Sequence, residues 1–146
     1  MENKNILAIP YALVPGLMGW LSGLTLPSHE SNARVKFLQL LKKVPENIDI
    51  KRNEVVNTYA EKDENGKPKM NEQKQYIYTD EKKKEAEEVF KEYIDTNTFR
   101  YDIVEENHIQ LTKTIKNIVL NTNEKFQGQL AEMYSQWYEI FENIEL

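Results

Sequence analysis

The run from Ile6 to Ser28 constrains the fold most, because none of its residues is charged. About 20 uncharged residues are enough to span a bilayer. Pro10 and Pro15 argue against a span, since each proline removes a backbone N–H that lipid cannot replace. Gly19 and Gly23 stand at the G-x-x-x-G spacing that lets membrane helices approach closely, which keeps a membrane helix as the alternative. We expect a protein that does not enter the membrane.

The apolar residues of this run repeat with the period of a helix. One stripe is formed by Leu13, Leu17, Trp20, Leu21 and Leu24. This spacing predicts a bent helix, kinked or restarted at Pro15, that folds into a core. The preceding "MENKN" balances one Lys with one Glu, and no small-x-small cleavage site follows, so a secretory signal is not expected.

The composition is that of a globular protein able to bury its own core. The 146 residues are 29% charged and 40% hydrophobic, and they include no cysteine. A disulfide framework, a thiolate zinc site and a cysteine nucleophile are therefore excluded, while a reducing compartment is permitted. We predict a single helical domain over residues 1–146.

Further amphipathic segments predict a mainly α fold, a compact bundle of about five helices. A helix capped by Ser28 or Ser31 is followed near Val44 by a bend, because Pro45 cannot continue a straight helix. Another begins at the cap Asp80, and two more fill the last 40 or so residues. The segments "QYIYT" and "TFRYDIV" favour β-structure and are predicted to pair as a small antiparallel two-stranded ribbon. Asn65-Gly66 predicts a turn, and we find no internal repeat.

No catalytic motif joins the required residue types at a working spacing. The sequence lacks G-x-S-x-G and a phosphate-binding G-x-x-x-x-G-K-[ST] loop, and neither His29 nor His108 has a second histidine at helical spacing. We therefore predict that the protein is not an enzyme and uses no cofactor and no metal.

The loop from Glu61 to Glu72 invites a test for calcium. Asp63, Asn65 and Gly66 match positions of an EF-hand loop, but Pro68 stands where an aliphatic residue is expected. Three lysines also weaken the negative field that the ion needs. A solvated turn is the favoured interpretation.

Arg34, Lys36, Lys42 and Lys43 form a basic helix face, which is the candidate surface for nucleic acid. The net charge of −5 lacks the basic excess typical of nucleic-acid-binding proteins, so a solvated helix face is favoured.

The C-terminal segment is both acidic and aromatic. Residues 85–146 hold 13 acidic and 5 basic residues, a net charge of −8, against +3 for residues 1–84. Tyr and Trp are enriched at protein interfaces, and three aromatics of the last helix cannot all face one core stripe. The candidate partner-binding residues are Tyr134, Tyr138, Glu139, Glu142 and Glu145. The alternative is a last core helix with a solvated back.

The segments "IPYAL", "SNARVKFLQLL", "YAEKDENGKP" and "IVLNTNEKFQGQLAEMYSQWYEIFE" occur in this order. In this the chain resembles an uncharacterised family of small proteins from phages and prophages of Gram-positive bacteria. The resemblance implies a phage accessory protein in the host bacterial cytoplasm, and it brings no catalytic residues.

Three functions follow as hypotheses. The first is a protein-binding accessory protein that inhibits a host defence complex by covering a surface. The second is a structural or assembly protein of the tail or virion, and the third is a nucleic-acid-binding protein. The first two require a protein partner, from the host or from the phage.

Overall fold

The structure is a computed structural model that describes residues 4–146. In chain order its elements are β1 (Ile6–Pro10), α1 (Val14–Gly23), α2 (Ser28–Leu41), α3 (Lys43–Tyr59), α4 (Asp80–Thr96), β2 (Thr98–Asp102), α5 (Ile109–Leu120) and α6 (Gly128–Glu142). The predicted class, mainly α with a small antiparallel two-stranded ribbon, is confirmed. Within the described residues there are six α-helices.

The described chain divides into two compact units. The first contains residues 4–44 and 98–146, and the second contains residues 45–97. The single domain over residues 1–146 stays a prediction.

The ribbon pairs β1 with β2 in an antiparallel register that places Leu7 opposite Tyr101. Leu7 and Ile9 are fully buried, so β1 alternates between a core face and an outer face. The prediction of a helix from Ile6 onward was therefore wrong over its first residues. The prediction that "QYIYT" supplies one strand was also wrong, because β2 pairs with a segment about 90 residues earlier in the chain.

Pro15 lies in the first turn of α1, where its missing N–H costs no helical hydrogen bond. Leu17 and Leu21 are fully buried, as the helical stripe predicts. The serine cap predicted for α2 was wrong. The residue before α2 is Pro27, and no side chain caps this helix end.

The core of the first unit lies among α1, α2, α5 and α6. Helix α5 packs against both α2 and α6, and Phe37 of α2 meets the edge of Phe141 of α6, with 6.3 Å between the ring centroids. The largest fully buried side chains in this unit are Trp137, Phe37, Phe141, Leu7, Ile9, Leu17, Leu21, Leu41, Ile103 and Ile115.

One buried polar pair lies beneath the ribbon. The hydroxyls of Tyr101 and Thr112 share a hydrogen bond of 2.6 Å, and the His108 ring packs edge-on against Tyr101. Burial raises the pKa of Tyr101 to about 12, with a smaller opposing effect of the hydrogen bond from Thr112. Thr112 therefore keeps the phenol of Tyr101 from being an unpaired buried group.

Helix α3 begins at Lys43, and Pro45, the first residue of the second unit, lies in its first turn, which agrees with the predicted interruption. Helix α4 is capped by Thr79, whose hydroxyl accepts a hydrogen bond from the Lys82 amide at 3.2 Å, and not by Asp80 as predicted. The guanidinium of Arg52 lies over the ring of Phe90, 5.2 Å from its centroid.

Two turns of the same geometry follow α3, eight residues apart. The Asp63 carboxylate accepts from the amides of Asn65 and Lys67, at 2.8 and 2.9 Å. The Asn71 side-chain oxygen accepts from the amides of Gln73 and Gln75, at 2.9 and 3.0 Å. The fourth residue of each turn has positive φ, namely 77° at Gly66 and 60° at Lys74. This repeat was not predicted, because the two turns share a hydrogen-bonding pattern but have different amino-acid sequences.

Candidate partner-binding surface

One side of helix α6 is buried in the core and holds the helix in place. Trp137 and Phe141 are fully buried, and the Trp137 indole Nε1–H donates to the backbone oxygen of Leu13 at 3.0 Å. This hydrogen bond ties α6 to the turn that precedes α1. The opposite side of α6 is thereby presented to solvent.

Gly16 lies at the contact between α1 and α6. A Cβ atom built at Gly16 would lie 2.3 Å from Cε of Met133 and 3.3 Å from Cζ2 of Trp137. Any larger residue at this position would therefore displace Met133 and crowd the tryptophan.

Four aromatic rings connect α1, α6 and the segment before α6. Trp20 stacks on Trp137 with 5.7 Å between ring centroids, and it meets Tyr134 edge-on and Phe126 at a tilt. Phe126 and Tyr134 stack more closely, with 4.2 Å between centroids. Among the described residues, the buried indole nitrogen of Trp20 has no hydrogen-bond partner. The cluster therefore contains one tryptophan that is anchored by a hydrogen bond and one that is held by packing.

Tyr134 belongs to this cluster and is half-buried. Its hydroxyl donates to the backbone oxygen of Val119 at 2.5 Å, which ties α6 to α5. Burial, and to a smaller extent Tyr138, raises the pKa of Tyr134. Of this side chain, a partner could reach only the part that packing leaves uncovered.

Tyr138 and Leu130 are the exposed apolar residues of α6, with 37% and 42% of their surfaces accessible. Leu130 lies in the first turn of α6. Leu130, Tyr134 and Tyr138 follow one another at intervals of four residues and so form a strip along the helix. We call these three residues the α6 strip.

Carboxylates occupy other exposed positions of α6, and among them Glu142 lies one helical turn from Tyr138. Glu132, Glu139 and Glu142 are exposed, and within residues 4–146 no ion pair is formed by any of the three. Glu145 differs from these three residues, because its carboxylate forms an ion pair with Lys4, whose Nζ lies 2.9 Å away.

Helix α4 carries its charge differently. There Lys82 pairs with Glu85 at 3.3 Å and Lys91 pairs with Asp95 at 2.6 Å, so part of the negative charge is compensated within the helix. Helix α6 contains no basic residue. Its carboxylates have no such compensation within the helix.

The predicted basic face is divided by the fold. The Arg34 guanidinium is half-buried, donating to the backbone oxygens of Leu21 at 2.9 Å and of Leu24, and to the Ser31 hydroxyl. It therefore satisfies carbonyl groups at the end of α1. Lys36, Lys42 and Lys43 are exposed.

In the loop from Glu61 to Glu72, the best candidate ligands are the side-chain oxygens of Asp63 and Asn71. Both already accept hydrogen bonds from nearby backbone amides. Two backbone amides, foremost that of Lys67, hold the pKa of Asp63 below its usual range. Across residues 4–146, no group of three or more His, Cys, Asp or Glu side chains could hold a metal ion. A cleft of about 690 Å³ in the first unit is lined mainly by polar residues of 24–30 and 117–125.

None of the helices within residues 4–146 is long and apolar enough to cross a membrane. In particular, α1 includes only part of the uncharged run and ends at Gly23.

No protein-family model, curated protein or solved structure matches the chain. The resemblance to a phage and prophage family therefore stays a prediction.

Proposed function

We propose that this chain is a protein-binding accessory protein without enzymatic activity, and that it docks on its partner through α6. The observation that carries the proposal is the α6 strip, in which exposed Leu130 and Tyr138 flank the anchored ring of Tyr134. A helix lays such residues, four apart, into a groove or onto an apolar surface of its partner.

The anchoring of Tyr134 supports this assignment. A side chain already fixed by a hydrogen bond and by stacking loses little conformational freedom when a partner covers it. The fully buried Trp137 and Phe141 hold the helix against the core, so the strip is presented on a rigid element. Preorganisation of this kind raises affinity without adding contacts.

The biological role we propose is inhibition of a host defence complex by covering one of its surfaces, in the bacterial cytoplasm. This part rests on the resemblance to phage and prophage proteins and on the absence of any motif for chemistry in the sequence. A small protein with a rigid docking helix can act in this way because occlusion needs contact area and no reaction.

The test is affinity capture from a lysate of a Gram-positive bacterium, with the tagged chain as bait. The decisive variant is Leu130→Ala combined with Tyr138→Ala, which removes the exposed ends of the α6 strip and keeps the buried Trp137 and Phe141. The matched control is Val35→Ala on α2, because Val35 is also an exposed apolar residue, 50% accessible. We expect one protein to be retained by wild type and by the control and to be lost with the double variant.

Capture of no protein, or equal capture by all three baits, would overturn the proposal. A captured host defence protein supports inhibition, whereas a captured tail or virion protein would replace inhibition by assembly. A mobility-shift titration at low salt completes the test, because salt-dependent binding of nucleic acid would point to Lys36, Lys42 and Lys43 instead.

A further inference from the structure

We infer that the partner of α6 is a basic protein surface, an apolar patch bordered by Lys or Arg side chains. This inference rests on the proposed function, since it specifies the chemistry of the partner that the α6 strip contacts. It is carried by the uncompensated negative charge of α6, which comes closest to the strip at Tyr138 and which the proposed function itself does not use.

The carboxylates of Glu132, Glu139 and Glu142 are exposed and have no ion-pair partner within residues 4–146. Glu142 is one helical turn beyond Tyr138, so the α6 strip leads directly into negative charge. A partner that covers Tyr138 must therefore approach Glu142 as well, and Glu139 follows Tyr138 directly in the chain. Complementary potential favours encounter with a basic surface, and like charges oppose an acidic one.

The same charge argues against other occupants of this face. The phosphate backbone of a nucleic acid and an anionic membrane surface would both be repelled. A second copy that packed α6 on α6 would bring six uncompensated carboxylates together, since each copy contributes the same three. A basic protein surface is the occupant that satisfies both the apolar strip and the acidic residues at its Tyr138 end.

Two synthetic helical peptides provide the probe. Both carry the same apolar face, but one is bordered by lysines and the other by glutamates. A third peptide with the composition of the lysine peptide in scrambled order removes the apolar face and keeps the charge. Affinities are measured by fluorescence anisotropy at two salt concentrations.

We expect the wild-type chain to bind the lysine peptide about tenfold more tightly than the glutamate peptide, because several exposed ion pairs form only with the first. This preference should shrink at high salt, where exposed charges are screened. The scrambled peptide should bind weakly. Glu139→Lys combined with Glu142→Lys should reverse the preference toward the glutamate peptide.

The matched control is Glu87→Lys combined with Glu88→Lys on α4, which makes the same change in net charge at exposed positions of another helix. It should leave the preference as in wild type. Equal binding of both ordered peptides, or an unchanged preference after charge reversal on α6, would overturn the inference.

The same peptides distinguish a failure of the proposed docking surface from a failure of the proposed partner chemistry. If Leu130→Ala combined with Tyr138→Ala leaves the binding of every peptide unchanged, the α6 strip is not the docking surface. If that variant weakens both ordered peptides alike while charge reversal has no effect, the docking surface stands and only the basic chemistry of the partner is wrong.

Discussion

The indole of Trp137 donates a hydrogen bond to the backbone oxygen of Leu13, 3.0 Å away, across 124 positions of sequence. This bond joins the last helix to the turn before the first one. It also orients α6, because the indole can reach that carbonyl only when the acidic side of the helix faces solvent. The fold and the candidate partner-binding surface therefore depend on the same contact.

The two stacked tryptophans should respond differently to the same substitution. Trp137→Phe leaves the Leu13 oxygen unpaired in a buried site, and we expect it to lower the free energy of unfolding by about 1 to 3 kcal/mol beyond the loss of contact area. Trp20→Phe removes a buried N–H that has no partner in the described chain, so its cost should be smaller. Urea denaturation of both variants measures the difference. Equal costs would mean that the hydrogen bond contributes little.

Arg34 should matter for stability more than its exposed neighbour. Arg34→Ala leaves the carbonyl groups of Leu21 and Leu24 without their donor, and we expect it to lower the free energy of unfolding by about 1 to 2 kcal/mol. Lys36→Ala removes an exposed charge and should change it by less than about 0.5 kcal/mol. Thermal denaturation of the two variants provides the comparison. A Lys36 variant that is as unstable as the Arg34 variant would contradict this division of the basic face.

The two repeated turns should respond in opposite ways. Gly66→Ala places a Cβ at φ of 77° and should lower the free energy of unfolding by about 1 kcal/mol. Lys74→Gly relieves a lysine held at φ of 60° and should raise it by about 0.5 kcal/mol, since the relief is partly offset by a more flexible unfolded chain. Urea denaturation tests both variants. A loss of stability in Lys74→Gly would show that the second turn needs the lysine side chain.

Stability should fall in alkali because of Tyr101. Its pKa in the folded protein is about 12, against an ordinary value of 10.0, so between these values the unfolded chain releases a proton that the folded chain retains. The contribution of Tyr101 is fully present below pH 10 and is lost as the pH rises through about 12. Tyr101→Phe should flatten this fall, at the cost of an unpaired Thr112 hydroxyl. Denaturation across this range, with tyrosinate absorbance as a second measurement, checks the sign.

Several features of the fold could be predicted from short-range pattern. The helical class follows from apolar residues at helical spacing, as in the buried Leu17 and Leu21 of α1. The turn at Gly66 follows from a residue that tolerates positive φ. The acidic, aromatic character of α6 is likewise present in its letters, because charge and residue type do not depend on folding.

Tertiary structure decided the features that depend on distant partners. Ile6–Pro10 became a strand because residues 98–102 lie beside it, and a five-residue apolar segment alone does not distinguish strand from helix. Arg34 is not part of an exposed basic face, because its guanidinium donates hydrogen bonds to carbonyl groups at the end of α1. Leu130 is exposed and Tyr134 is half-buried for a similar reason. The helical period fixes only the direction in which a side chain points. Whether that side chain is buried depends on which other segment of the chain packs against that turn of the helix.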